Sequence, residues 1–152
     1  RAICDQGLLG KEIQVVAVND NDQVVGVAGA GYYLHIEPGG KSFVGGGMWQ
    51  PEPAILKKIR QDIDYNYADF LAIVEEPAFR ASFPQIDGER LKKVPQGYTD
   101  DNPAAEYLKL KSFTIGAQLT DDEVVSKGFV AQTAKLFAVM RPFITYLNRA
   151  VD

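Results

Sequence analysis

Polar and apolar residues alternate along the first third of this chain, then switch to a recurrence of three to four positions. In 12–18, Ile13, Val15 and Ala17 alternate with Gln14, and Val16 and Val18 make the second face apolar as well. That pattern predicts a strand covered on both sides. Asn19-Asp20-Asn21-Asp22 reads as a turn and 23–28 as the returning strand. The tetrad lacks the glycine and distal glutamate of a calcium loop. A second pair, 32–37 and 42–49, flanks Pro38-Gly39-Gly40-Lys41, a four-residue hairpin connection. With Glu37 opposite Ser42, Ile36 falls opposite Phe43, Leu34 opposite Gly45 and Tyr32 opposite Gly47. The second face then joins Tyr33, His35 and Glu37 to Ser42, Val44, Gly46 and Met48. That mixed face is where a site is expected.

The helical period begins after Pro51-Glu52-Pro53. Ile55, Ile59 and Ile63, with Leu56 beside them, predict an amphipathic helix over 54–64. Asn66 with Asp69 caps a second helix carrying Phe70, Leu71 and Val74, ended by Pro77, and 78–83 adds one further turn. The segment 84–102 reads as irregular, with helical residues resuming over 103–107. Alternation over 108–115 predicts another strand. Thr120 with Glu123 is a capping box opening a short helix, closed by Gly128. In the last helix Val130, Ala134, Phe137, Met140, Ile144, Leu147 and Val151 line one side, and Pro142 should kink or split it. Strands first and helices later predict an α+β fold, an antiparallel sheet of hairpins packed on amphipathic helices.

Composition narrows the function classes. The 152 residues suit one domain that buries roughly 68–70% of its unfolded surface. A net charge of −4 gives no general attraction for nucleic acid or anionic membrane. No apolar run approaches the ~20 residues of a membrane span. A single cysteine, Cys4, excludes an internal disulfide and fits a reducing, cytoplasmic setting. The chain opens on Arg1 rather than methionine, which predicts a domain lacking its beginning.

His35 is the only histidine, so a multi-histidine metal centre is excluded, and no cofactor motif is present. Glu37, two positions along the strand, can orient the imidazole for acid–base work; the competing reading is a hydrogen-bonded strand histidine without a catalytic task. Gly45-Gly46-Gly47 leads into Met48-Trp49 rather than a helix with lysine and Ser/Thr, so it is no phosphate loop. Its glycines either admit close packing or a bulge, or admit a ligand backed by Trp49. Lys109 and Lys111 share a face if their segment is a strand, and with Arg60 they offer an anion site; a charge-balanced, solvated face is the alternative.

Several ordered blocks carry a family likeness. They are Tyr32-Tyr33-Leu34-His35-Ile36-Glu37, Gly46-Gly47-Met48-Trp49 with Pro51, Arg60 with Ile63, and Leu91 through Tyr98. Asn102-Pro103, Leu108-Lys109-Leu110-Lys111, Pro142 and Leu147-Asn148-Arg149-Ala150 follow. From about Gly29 onward the chain resembles DUF2461, a bacterial and fungal family of unknown function. The resemblance implies a helical segment and a basic motif ending in Pro-Tyr-Lys ahead of the Tyr32 strand. Residues 1–28 carry neither, which predicts that the family's N-terminal part is missing.

Three functions follow as expectations. The first is a domain that binds a small anionic ligand, through Tyr33, His35, Glu37, Trp49, Arg60, Lys109 and Lys111, or acts non-catalytically. The second is an enzyme acting on a phosphate- or carboxylate-bearing small molecule. The third is an interaction module, including a homo-oligomer, using aromatics such as Tyr65 and Tyr67.

Overall fold

A computed structural model describes residues 29–152 and the backbone of Ile13–Val16. The predicted strand over 23–28 and the Asn19–Asp22 turn lie outside the described residues. Among the described residues four strands, β1 (Ile13–Val16), β2 (Gly31–Ile36), β3 (Ser42–Met48) and β4 (Phe113–Leu119), form one antiparallel sheet in sequence order. Helices α1 (Pro53–Tyr65), α2 (Tyr67–Val74), α3 (Pro77–Ser82), α4 (Ala105–Leu108), α5 (Asp121–Val125) and α6 (Phe129–Val151) complete the α+β fold. No helix among the described residues is long and apolar enough to cross a membrane.

One sheet face is the core. Val44, Met48, Phe113, Ile115 and Leu119 point inward and are almost fully buried. Helix α6 lies across them, bringing Met140 and Ile144 against Gly46 and Phe137 against Tyr32, whose rings are 5.3 Å apart. The helical side is aromatic: Phe70 meets Tyr146 at 5.3 Å, Phe79 meets Phe143 at 5.8 Å and Phe83 at 5.5 Å. Ile59 and Ile63 carry α1 into this core, where each buried aliphatic side chain contributes about 1.5–3 kcal/mol.

Several expectations need correction. The hairpin register is displaced by one residue: His35 pairs with Phe43, Leu34 with Val44, Tyr33 with Gly45 and Tyr32 with Gly46. The cause is the turn. Ser42 Oγ accepts from the Glu37 amide (2.9 Å) and donates to the Glu37 carbonyl (3.0 Å), so a side chain closes the loop where a backbone pair was expected. Gly39 and Gly40 take positive φ, and both their amides donate to the Asp121 carboxylate. A one-residue slip exchanges every facing residue.

The strand expected over 108–115 is split. Leu108 ends α4, Arg90 bridges to Leu110, and β4 begins at Phe113. Pro77 does not merely end α2; it opens α3, capped by the Glu76 carboxylate on the Phe79 amide (2.8 Å). The Asn66 side chain caps nothing and donates to Asp62 Oδ1 instead. The capping box at Thr120 and Glu123 is present, but α5 ends at Val125 and Gly128 precedes α6. Helix α6 runs unbroken through the exposed Pro142. Its first turns leave Val130 and Ala134 exposed, because the inward side there is Phe129 and Thr133.

Candidate functional site

The sheet face opposite α6 carries Tyr33 and His35 from β2, Phe43, Gly45 and Gly47 from β3, and Thr114, Gly116 and Gln118 from β4. Across the strands the pairing gives three rows: Gly31–Gly47–Thr114, Tyr33–Gly45–Gly116 and His35–Phe43–Gln118. Bare backbone therefore fills the centre. A concavity of about 820 Å³ lies over it, bounded by Tyr33, Phe43, Trp49, Asp87, Thr114 and Gln118.

The glycines have different reasons to be there. Gly47 has φ +122°, and a Cβ would overlap the Phe113 carbonyl, so the backbone demands glycine. A Cβ on Gly46 would press on Met140 Sδ at 3.0 Å and Ile144 Cδ1 at 3.2 Å, so α6 demands it. Gly45 and Gly116 lie outside the left-handed region. Their Cβ atoms would first meet backbone oxygens, Ile115 O at 3.3 Å and Val44 O at 3.1 Å, a tight approach that small shifts relieve. What these two chiefly provide is empty space on the open face.

Trp49 stands at one end of that face, 74% exposed. Gln50, next to it, has φ +44°, uncommon for a side-chain-bearing residue, and its amide donates to the buried Ser112 Oγ (2.9 Å). The bond fixes the turn that lifts Trp49 beside the sheet. Behind Trp49 opens a second groove of about 510 Å³, which adds Leu56, Glu89 and Lys111 and shares Trp49, Asp87 and Thr114. Asp87 reaches the site because its amide donates to the Thr114 carbonyl (2.6 Å).

The expected site residues divide. Tyr33 and Trp49 line the concavity, and Lys111 lines the adjoining groove. His35 is nearly buried, stacked on Phe43 (5.1 Å) and Tyr33 (6.3 Å), with Nε2 3.0 Å from Glu37 Oε2. Glu37 also accepts from Lys41 Nζ (2.9 Å); that bond, then the one from His35, holds its carboxyl below the usual range. This His35–Glu37–Lys41 set sits at the hairpin end, outside the concavity. Arg60 donates to the Leu110 carbonyl (2.9 Å), and burial lowers its pKa. Lys109 pairs with Glu106 at 2.7 Å and Lys111 with Glu89 at 2.7 Å. Lys109 and Lys111 do not share a strand face, since neither is in a strand. Of the two tyrosines expected on the surface, Tyr65 is 75% exposed, whereas Tyr67 packs near Tyr107.

Sequence reasoning missed Phe43, Asp87, Thr114, Gly116 and Gln118. Gly116, isolated within an alternating apolar run, was the one local signal. Asp87 had none, because only its pairing with Thr114 brings it here.

The family model described as "Conserved hypothetical protein (DUF2461)" matches residues 11–146. The match opens upstream of Gly29, so 11–28 fall inside it, and it closes before the Leu147–Ala150 block. No curated protein and no solved structure matches.

Proposed function

Because the chain belongs to the DUF2461 family, whose description names no activity, we propose from the site itself that this domain binds a small organic molecule without transforming it, over Gly45 and Gly116. One observation supports the reading above the rest. Two cross-strand neighbours, Gly45 in the middle of β3 and Gly116 in the middle of β4, are glycines, although neither takes the positive φ that favours glycine. Glycine weakens a strand interior. Here it leaves about 820 Å³ open between Tyr33, Phe43 and Trp49, within the ~300–1,000 Å³ usual for small-molecule pockets.

Binding is favoured over turnover. An enzymatic reading rests on His35 as acid or base, yet its ring is nearly buried, its Nε2 is engaged by Glu37, and it does not line the concavity. A second reading, an anion held by cationic side chains, draws on Lys111 in the adjoining groove. Such a ligand has to displace Glu89 from that lysine. Lys109 and Arg60 are held by Glu106 and the Leu110 carbonyl.

The test is a thermal-shift screen with anionic, neutral and cationic metabolites and nucleotides. A ligand at 100 times its Kd stabilises the fold by ~2.7 kcal/mol. The expected hit disappears in Gly45→Val and in Trp49→Ala while the circular dichroism spectrum stays that of the parent. No hit, or a hit that survives Gly45→Val, sinks the reading.

A further inference from the structure

We infer that the ligand of the glycine-floored concavity is a cation with an apolar or aromatic body, an organic amine or quaternary ammonium, rather than an anion. This rests on the binding reading above and adds its chemical class. Among the described residues, Asp87 is the one side chain with formal charge at neutral pH that lines the main concavity, and it also lines the adjoining groove. Its carboxylate accepts from Gln85 Nε2 at 3.3 Å, and among the described residues no cationic side chain forms an ion pair with it. The groove's single cation among the described residues, Lys111, is neutralised by Glu89 at 2.7 Å. The described residues of the combined lining therefore carry one uncompensated negative charge. An anion entering it meets repulsion from Asp87 and competes with Glu89.

The apolar part of the lining points the same way. Trp49 is 74% exposed and shared by both hollows, and Tyr33 and Phe43, 5.5 Å apart, border the glycine floor. Aromatic faces attract cations through their negative quadrupole, most strongly for tryptophan and where water is excluded. A carboxylate beside aromatic faces matches an alkylammonium: the charge meets Asp87 and the hydrocarbon covers bare strand. His35 adds no competing positive end, since its Nε2 faces Glu37 outside the concavity.

Trp49 is the only tryptophan in the chain, so its emission reports on this site alone. The experiment titrates three probes of similar shape, benzyltrimethylammonium, benzyl alcohol and benzylphosphonate, against Trp49 fluorescence. The expected result is saturable binding of benzyltrimethylammonium at least tenfold tighter than either other probe, weakened by added salt. Asp87→Asn should reduce that preference to near parity, and Lys111→Ala, which leaves Glu89 uncompensated, should keep or increase it. Saturable binding that Gly45→Val abolishes, but with benzylphosphonate preferred or with no effect of Asp87→Asn, overturns the cation inference and leaves the site standing. No saturable binding by any probe, or binding indifferent to Gly45→Val, overturns both.

Discussion

Asn148 satisfies both backbone groups of Ala30, accepting from its amide at 2.8 Å and donating to its carbonyl at 3.1 Å. The two residues are 118 positions apart. Ala30 is 1% exposed and immediately precedes β2, so this amide side chain ties the last helix to the start of the central hairpin. A buried backbone group left without a partner costs about 1–3 kcal/mol.

Asn148→Ala strands both groups at once. We expect a loss of roughly 2–4 kcal/mol in equilibrium urea unfolding, with the denaturant slope unchanged. Asn148→Asp keeps an acceptor for the amide but sets a carboxylate oxygen against the Ala30 carbonyl, so it should be no better than alanine. A loss below about 0.5 kcal/mol for Asn148→Ala, the range of neutral surface changes, would show that the clamp is not made.

Three consecutive glycines should respond differently to the same added methyl. Gly47→Ala forces a Cβ into the Phe113 carbonyl at a positive φ and should cost about 3 kcal/mol or more. Gly46→Ala presses on the ends of Met140 and Ile144, which can move, and should cost roughly 1–3 kcal/mol. Gly45→Ala faces the open concavity and should stay within about 1 kcal/mol of the parent. Urea denaturation of the three variants gives the order, and a Gly45→Ala cost equal to that of Gly47→Ala would contradict the assignment of faces.

Acid should weaken the fold in part through two local carboxylates. The Thr120 amide, then Gln132 and the Thr120 hydroxyl, hold the Glu123 carboxyl below its ordinary 4.5. Lys41, then His35, do the same for Glu37. A folded-state value below the unfolded one means the contribution is present above pH 4.5 and lost as pH falls through the lower folded-state value. Glu123→Gln and Glu37→Gln should each flatten the fall of stability below pH 4.5 in acid titrations followed by circular dichroism. An unchanged acid slope in both variants would show that these contacts do not contribute.

Local signals in the sequence were read well where the physics is local. Ile59 and Ile63, four apart, lie on one helix face and are fully buried in α1. Thr120 and Glu123 form their capping box because both partners sit within one turn. Tyr33 and Trp49, which line the concavity, were singled out because strand alternation assigns one to a face and the composition of the hairpin draws attention to the other. For Lys109 and Arg60 the sequence named the cations but not the oxygens that hold them. Glu106 and the Leu110 carbonyl hold these two.

The sequence by itself determined the α+β class, the kinship, the central hairpin and most helices, since these follow from periodicity, capping residues and turn residues within a few positions of one another. The tertiary structure alone decided the register and which residues line the concavity. A serine hydroxyl closing onto Glu37 shifted the hairpin by one residue, which put Gly45 rather than Val44 on the face of Tyr33. Asp87 joined Trp49 only through a bridge to Thr114, 27 residues away. No spacing rule reaches that far, because such contacts are selected by the burial of the whole core rather than by the residues beside them in the chain.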